Sequence, residues 1–120
     1  MHTIKTKRIY DEPAAADGYR MLVDRLWPRG MKKENTHIDE WNKEISPSTE
    51  LRKAFHQHAE NFAQFSKSYR HELSKKKEEL QKILSIADTQ NLTLLYASRD
   101  EEANHAKVLL SVLQNMQSDQ

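Results

Sequence analysis

Two short apolar runs constrain the fold of this chain more than any other feature. Residues 19–24 and residues 92–97 place apolar side chains at consecutive positions instead of alternating ones, which is typical of strands covered on both faces. A long segment with helical patterning lies between them, and parallel strands are joined by crossovers of that kind. We therefore predict two adjacent parallel strands whose carboxyl ends meet at one edge of the sheet, where open α/β sheets bind ligands.

A further strand and a loop precede the first run. Residues 3–10 carry a modest strand signal, and residues 11–18 are expected to form a loop closed by Gly18, which suits a positive φ. Together the patterns predict an α/β fold with a small parallel or mixed sheet of about three strands and covering helices. With 120 residues and no long linker, residues 1–120 are expected to form a single compact domain.

The segment between the two runs predicts two helices. Ser48 or Ser46 can cap the first, with Pro47 at an early position that helices tolerate. The second carries an apolar stripe over residues 62–87 that is interrupted by polar residues 74–79. We expect one helix here, which projects past the core at the interruption.

The final helix has the clearest pattern. Ser98 and Glu101 fit a capping box, and Asp100 is a second candidate cap. The expected buried face is formed by four residues: Ala106, Leu109, Leu110 and Leu113. The start of this helix should open toward the carboxyl end of the first apolar run, residues 19–24. It offers free amide donors and a partial positive charge.

The composition excludes several classes of function. Nineteen Lys and Arg against eighteen Asp and Glu give a net charge of +1, which argues against nucleic acid as a partner. The chain has no cysteine, so disulfides, thiolate nucleophiles and cysteine-ligated metals are excluded. It has no apolar run of membrane-spanning length and no signal-peptide pattern, so we expect a cytoplasmic protein without a membrane partner.

Residues 24–30, D-R-L-W-P-R-G, are the strongest candidate for a binding loop. Arg25 and Arg29 offer paired guanidinium donors that suit phosphate or carboxylate groups. Trp27 offers a face for stacking on a base or sugar. The alternative is structural, with Asp24 paired to Arg25 and Trp27 filling the core.

Residues 98–105, S-R-D-E-E-A-N-H, are the second candidate segment. Asp100 is a candidate general base, arginine partner or helix cap. His105 lies one turn beyond Glu101 in the predicted helix, so that carboxylate can orient its ring for acid–base chemistry. A half-buried structural histidine is the alternative. Asn104 can orient a sugar hydroxyl or satisfy loop backbone.

Metal and cofactor sites are not expected. His56 and His58 are two positions apart and point to different sides of a helix, and no third ligand stands out nearby. Glycine-rich phosphate loops and nucleophile-elbow motifs are absent from the sequence.

Five collinear stretches resemble the YeaO-like proteins, a bacterial family catalogued as domain of unknown function 488. They are R-I-Y-D-E-P at 8–13, D-G-Y-R-M-L-V-D-R-L-W-P-R-G at 17–30, D-E-W-N-K-E-I-S-P-S-T-E-L-R at 39–52, F-S-K-S-Y-R-H-E-L at 65–73 and T-L-L-Y-A-S-R-D-E-E-A-N-H-A at 93–106. The resemblance implies a small cytoplasmic α/β protein and supplies no activity to transfer. The family pattern also falls on Ser48 and Tyr96, which join the candidate ligand-binding residues.

The leading hypothesis is a site for a phosphorylated or nucleotide-like small molecule, with an enzyme as one form of it. Its candidate ligand-binding residues are Arg25, Trp27, Arg29, Ser48, Arg52, Tyr96, Arg99 and Asn104. Its candidate acid and base are Asp100 and His105. The alternative is a non-catalytic binding or regulatory module that contacts protein or nucleic acid through the arginine loop or the lysine-rich residues 74–79. The sequence leaves the oligomeric state open.

Overall fold

The computed structural model describes residues 2–57 and 61–119, apart from the side chain of Gln57, and its sheet has four strands there. They are β1 (Ile4–Arg8), β2 (Tyr19–Leu22), β3 (Glu40–Trp41) and β4 (Leu92–Tyr96). Their spatial order is β1-β4-β2-β3, and every neighbouring pair is parallel. Because β2 lies beside β4, with Tyr19 opposite Leu92, the predicted pairing of the two apolar runs is confirmed.

The predicted α/β class is also confirmed, with one strand more than expected. The additional strand, β3, has only two residues, so it is too short to produce a recognisable pattern in the sequence. It pairs with the end of β2 through Met21 and Leu22. Gly18, at the start of β2, has φ 64°, as predicted for the residue that closes the preceding loop.

Five helices lie in the described residues: α1 (Lys33–Thr36), α2 (Thr49–Gln57), α3 (Phe62–Ser74), α4 (Lys77–Ala87) and α5 (His105–Ser118). The larger core cluster joins one face of the sheet to α3, α4 and α5 through residues such as Met21, Leu94 and Leu109. A smaller cluster covers the other face, where Leu22 and Leu95 pack against the segment that follows β2. Both faces are therefore covered, which explains why the two runs do not alternate.

The prediction of one helix over residues 62–87 is wrong, because the chain turns at Lys75 and Lys76. The backbone amides of these two residues donate to Glu72 O (3.2 Å) and Leu73 O (2.9 Å), which closes α3. Residues 74–79 have no apolar side chain to hold a continuing helix against the core. The turn allows the apolar stripes of α3 and α4 both to be buried.

The final helix begins later than predicted. Asp100 Oδ1 accepts hydrogen bonds from the amides of Glu102 (3.0 Å) and Ala103 (2.9 Å) and so stabilises a turn before the helix. The N-cap of α5 is Asn104, whose Oδ1 accepts the amide of Lys107 (3.0 Å). The sequence offers several polar caps in this segment, and the burial of Asn104 selects the one that is used.

Across the part of the chain that the structure describes, every helix is too short or too polar to span a lipid bilayer.

Candidate functional site

The carboxyl ends of β2 and β4 open onto a crevice of about 370 Å³. The loop after β2 lines it with residues 24–29, and the segment after β4 lines it with residues 97–99. Asn104 and His105, at the start of α5, complete that side. The two segments that the sequence predicted to meet at this edge therefore face one common hollow, and α2 closes it from a third side.

The crevice is far more basic than the rest of the molecule. Among the described residues its lining holds one carboxylate, Asp24, and four arginines: Arg25, Arg29, Arg52 and Arg99. Removing these five from nineteen basic and eighteen acidic residues leaves fifteen and seventeen, so the remainder of the chain carries an excess of negative charge. The crevice lining therefore has a local excess of positive charge, which suits a small anion.

Two of the arginines are held inside the crevice. Arg25 Nε donates to Pro47 O (3.0 Å), and Arg25 Nη2 lies 3.4 Å from Ser46 O. Arg52 Nε is buried and has no hydrogen-bond partner among the described residues. A buried donor of a charged group without an acceptor is costly.

The other two arginines, Arg29 and Arg99, lie exposed at the mouth. Neither forms a salt bridge with a carboxylate of the described residues. The Arg29 carbonyl accepts a hydrogen bond from Tyr10 Oη (2.9 Å), which fixes the backbone that carries this guanidinium. Both groups are therefore available to a ligand that enters from solvent.

Asp24 and His105 form a pair at the base of the crevice. Asp24 Oδ2 accepts the Ala97 amide (3.0 Å) and extends the ladder between the two strands. Asp24 Oδ1 lies 2.8 Å from His105 Nε2, which also lies 3.1 Å from Val23 O. One ring N–H cannot serve both oxygens fully, so Asp24 Oδ1 is left without a well-aligned donor when Val23 O is served.

This pair corrects two predictions made from the sequence. Asp24 does not pair with Arg25, whose guanidinium donates to backbone carbonyls instead. Glu101 does not orient His105, because α5 begins at His105 and Glu101 lies exposed in the preceding turn. Asp24, which follows β2, contacts the His105 ring instead.

Helix α3 fixes the segment that orients Arg25. Ser48 Oγ caps α2 and donates to Glu72 Oε2 (2.6 Å), while the Ser48 amide donates to Glu72 Oε1 (2.9 Å). Tyr69 Oη donates to Ile45 O (2.6 Å), and burial raises the pKa of Tyr69, so the phenol keeps its proton. Ser48 is therefore a structural cap and is not part of the crevice lining.

The two aromatic candidates from the sequence occupy different places. Trp27 lines the crevice, but its Nε1 donates to Met31 O (2.8 Å) and its ring contacts Trp41 edge-on at 5.2 Å, so it also belongs to the smaller core. Tyr96 is buried in the larger core and does not line the crevice. Burial and the nearby charge of Glu101 raise the pKa of Tyr96. Its ring is not accessible to a ligand there.

Asp100 is also outside the crevice lining. Hydrogen bonds from the amides of Ala103 and Glu102 lower the pKa of Asp100, so the group is a carboxylate at neutral pH and is engaged in a turn. Asn104 lines the edge of the crevice while its side chain caps α5. Of the two acid–base candidates, His105 alone lies in the crevice.

Sequence reasoning missed the apolar part of the site. Phe55 and Phe65 stack at 4.4 Å with an interplanar angle of 27°, and both line the crevice. Leu26 and Tyr10 lie at its rim and are 59% and 41% exposed. Leu26 lies within the loop that the sequence singled out, between Arg25 and Trp27, whereas no local pattern brings Phe65 to this site from α3.

The structure describes only one of the two histidines considered as metal ligands. His56 lines the crevice, and His58 lies outside the described residues. Among the described residues, no group of three His, Asp or Glu side chains is arranged to hold a metal ion.

Comparison with known proteins gives a family and close relatives. A family model described as "Inactive DUF488-N3 subclade" matches residues 3–120. The Escherichia coli (strain K12) uncharacterized protein YeaO is 50% identical over 113 residues, which cover 94% of this chain and 98% of that protein. An uncharacterized protein of Mycobacterium tuberculosis (strain H37Rv) is 33% identical over 110 residues, 92% of each chain. No solved structure matches the chain.

Proposed function

The chain belongs to the YeaO-like DUF488 family, in the subclade whose model is described as inactive, and from this premise we propose that it binds a phosphate-bearing small molecule without converting it. The observation that carries the proposal is the lining of the crevice, where four arginines face one carboxylate among the described residues. Guanidinium groups recognise phosphate oxygens with paired donors. A phosphate monoester is therefore the simplest ligand class that fits.

The size and apolar walls of the crevice support an organic phosphate as the ligand. Its volume of about 370 Å³ is within the range of small-molecule sites, roughly 300–1,000 Å³. Phe55, Phe65 and Leu26 provide apolar surface beside the arginines, so a sugar or a base can be covered while the phosphate is held. Inorganic phosphate alone would leave this surface unused.

Binding without turnover is supported by the chemistry of the two acid–base candidates. Asp100 lies outside the lining and is engaged with backbone amides. His105 Nε2 faces Asp24 and the Val23 carbonyl, so that nitrogen is engaged within the protein. The description of the family model as inactive agrees with this proposal.

A nucleic-acid partner is a weaker candidate. Outside the crevice lining the chain has an excess of acidic residues, and binding along a nucleic acid needs basic side chains over an extended surface. The groove that contains the lysine-rich residues 74–79 is lined by four lysines and by three glutamates, Glu44, Glu78 and Glu79, so its charges largely cancel. These observations favour the small molecule.

A thermal-shift experiment with matched variants tests the proposal. Glucose 6-phosphate and AMP should each raise the melting temperature by several degrees, because a ligand at 100 times its Kd stabilises a protein by about 2.7 kcal/mol. Glucose and adenosine should have no effect. Arg29→Gln should reduce the shift strongly, since the exposed Arg29 side chain lines the mouth.

Arg70→Gln is the matched control. Arg70 is an exposed arginine whose Nη2 donates to Ser111 Oγ (3.0 Å) away from the crevice, so the variant loses the same charge without touching the site. Equal shifts for the two variants would contradict the proposal. The ligands should also be recovered intact after long incubation, as followed by phosphorus NMR, and release of inorganic phosphate would contradict binding without turnover.

A further inference from the structure

A second hollow adjoins the crevice on the outer side of its mouth. It has a volume of about 420 Å³ and is lined by Arg8, Tyr10, Arg29, Ala97 and Arg99. Four of these residues, all except Arg8, also line the crevice. The side chains of Arg29 and Arg99 therefore form a ridge with one hollow on either side.

The second hollow has no acidic residue in its lining among the residues that the structure describes. The nearest acidic residues in sequence are Asp11, beside Tyr10, and Asp100, beside Arg99. Asp11 is absent from the lining, and Asp100 Oδ1 accepts two backbone amides. Three guanidinium groups thus line one hollow without a carboxylate there, and a bound anion would relieve their mutual repulsion.

Arg8 is positioned for binding before any ligand arrives. Its Nε donates to Ser98 O (2.9 Å) and its Nη2 lies 3.4 Å from Ala97 O. Its guanidinium also lies 5.0 Å from the centre of the Tyr10 ring, and a cation over an aromatic face is attracted to it. These contacts leave Nη1 as a donor. They also restrict the Arg8 side chain, which reduces the loss of conformational entropy when a ligand binds.

Resting on the proposed function, we infer that the ligand carries two phosphate-like groups, one held in the crevice and one in the second hollow. Arg29 and Arg99 contact both groups from the ridge, Arg25 and Arg52 serve the inner group, and Arg8 serves the outer one. The two groups are joined by a linker long enough to cross the ridge. The ligand class is thus a small bisphosphorylated compound.

Isothermal titration of the protein with phosphonates and pyrophosphate tests this inference. The probes are methylphosphonate, inorganic pyrophosphate and alkane-α,ω-bisphosphonates whose linkers increase from methylene to hexylene. The best linker should bind at least about tenfold more tightly than methylphosphonate, because the second group binds intramolecularly, and longer linkers should lose part of the gain. A gain of about twofold for every linker, the statistical factor for two identical groups, would overturn the inference.

Variants locate the second group. Arg8→Gln should reduce the affinity of the best bisphosphonate to about that of methylphosphonate and leave methylphosphonate unchanged. Arg25→Gln should weaken both probes, and Arg70→Gln, which removes the same charge elsewhere, should weaken neither. Unchanged bisphosphonate affinity in Arg8→Gln would overturn the inference, because the second group would then lie elsewhere.

The outcomes separate this inference from the proposed function. If methylphosphonate binds and no bisphosphonate binds more tightly, the second hollow is unused and the proposed function stands. If neither these probes nor glucose 6-phosphate and AMP bind, the proposed function fails and the inference fails with it. Should Arg8→Gln fail to fold, Arg8→Lys, which keeps the charge and loses the paired donors, and the linker series on the unmodified protein still decide the question.

Discussion

The backbone of Gly18 combines φ 64° with ψ −127°, a region that side chains other than glycine rarely adopt. A Cβ at this position would lie 2.2 Å from Asn91 O. That oxygen cannot move freely, because it accepts the Tyr19 amide (2.8 Å) where β2 begins. The absence of a side chain at Gly18 therefore allows the loop before β2 to lie close to Asn91, the residue before β4.

Gly18→Ala should lower the free energy of unfolding by about 3 kcal/mol or more, since backbone strain and a steric clash act together. Urea unfolding measures the change. Gly30→Ala is the control, because Gly30 also has a positive φ (79°) but nothing lies within 4 Å of the added Cβ. Gly30→Ala should lower the free energy of unfolding by only about 1 kcal/mol. Equal losses in the two variants would show that the close approach of Asn91 is not the cause.

The hydroxyl of Tyr69 is fully buried and donates to Ile45 O at 2.6 Å. Tyr69→Phe should lower the free energy of unfolding by about 1–2 kcal/mol, because the buried carbonyl loses its donor. It should also weaken phosphate binding modestly, since the neighbouring carbonyls of Ser46 and Pro47 orient Arg25. Denaturant unfolding and titration with glucose 6-phosphate check the two effects, and full stability in the variant would contradict the assigned hydrogen bond.

Single residues near the site show what local patterns can and cannot predict. The sequence predicted that Arg25, Arg29 and Trp27 lie together in one loop, and all three line the crevice, because residue type and spacing are local properties. It could not predict that Asp24 faces His105 at 2.8 Å. The two are separated by most of the chain, and only the pairing of β2 with β4 brings them together.

At the level of whole elements, the start of α5 has two candidate N-cap residues whose contributions to stability can be compared. Asn104→Ala should lower the free energy of unfolding by about 1–2 kcal/mol, because buried Asn104 satisfies the Lys107 amide. Asp100→Ala should cost less, since Asp100 stabilises only an exposed turn. Thermal unfolding of both variants checks the order, and a larger loss for Asp100→Ala would place the start of the helix nearer the position that the sequence predicted.

The break between α3 and α4 shows the limit of periodicity in predicting elements. The apolar spacing of residues 62–87 identified the helical segments and their buried face correctly. It could not predict the turn, because polar residues 74–79 are compatible with helix. The turn arises from packing on both sides, and Glu79 Oε1 accepts a hydrogen bond from Asn42 Nδ2 (2.8 Å) in the loop that leads to α2.

Across the whole molecule, opposite edges of the sheet carry different charged clusters. Near the start of β2, buried Asp17 contacts three cations, Lys5, Lys7 and Arg20. Burial alone raises the pKa of Asp17, but hydrogen bonds from these side chains and from the Ala14 amide outweigh it and hold the pKa well below the usual 3.8. All three cations of this cluster contact the same carboxylate, so the cluster is structural. In the crevice, by contrast, no arginine of the described residues forms a salt bridge with Asp24.

The Asp17 cluster makes stability dependent on pH under acidic conditions. Because the pKa of Asp17 is lower in the folded protein than in the unfolded chain, its stabilisation is complete above the unfolded value near pH 3.8 and is lost as the pH falls below it. Asp17→Asn should lower the free energy of unfolding by about 3–5 kcal/mol at pH 7, because it removes the carboxylate that pairs with buried Arg20 and with Lys5 and Lys7.

The difference in stability between the wild type and Asp17→Asn should narrow as the pH falls below about 4. Urea unfolding at a series of pH values measures it. Asp88→Asn, at an exposed position after α4, should behave as the wild type throughout. A constant difference between wild type and Asp17→Asn across the acidic range would contradict the assigned contribution of the carboxylate.

The α/β class, the two central strands and their parallel pairing could be predicted from local patterns, because continuous apolar runs and a long crossover admit few arrangements. The sequence also identified the arginine-rich loop, since guanidinium chemistry is a property of the residue. Of the residues predicted to share a site with that loop, Arg52 and His105 line the crevice, whereas Tyr96 and Asp100 lie outside it, and Phe65 was not predicted. The set of side chains that meet at a sheet edge depends on where the helices begin and on contacts between residues far apart in the chain. Local sequence patterns do not predict either of these reliably.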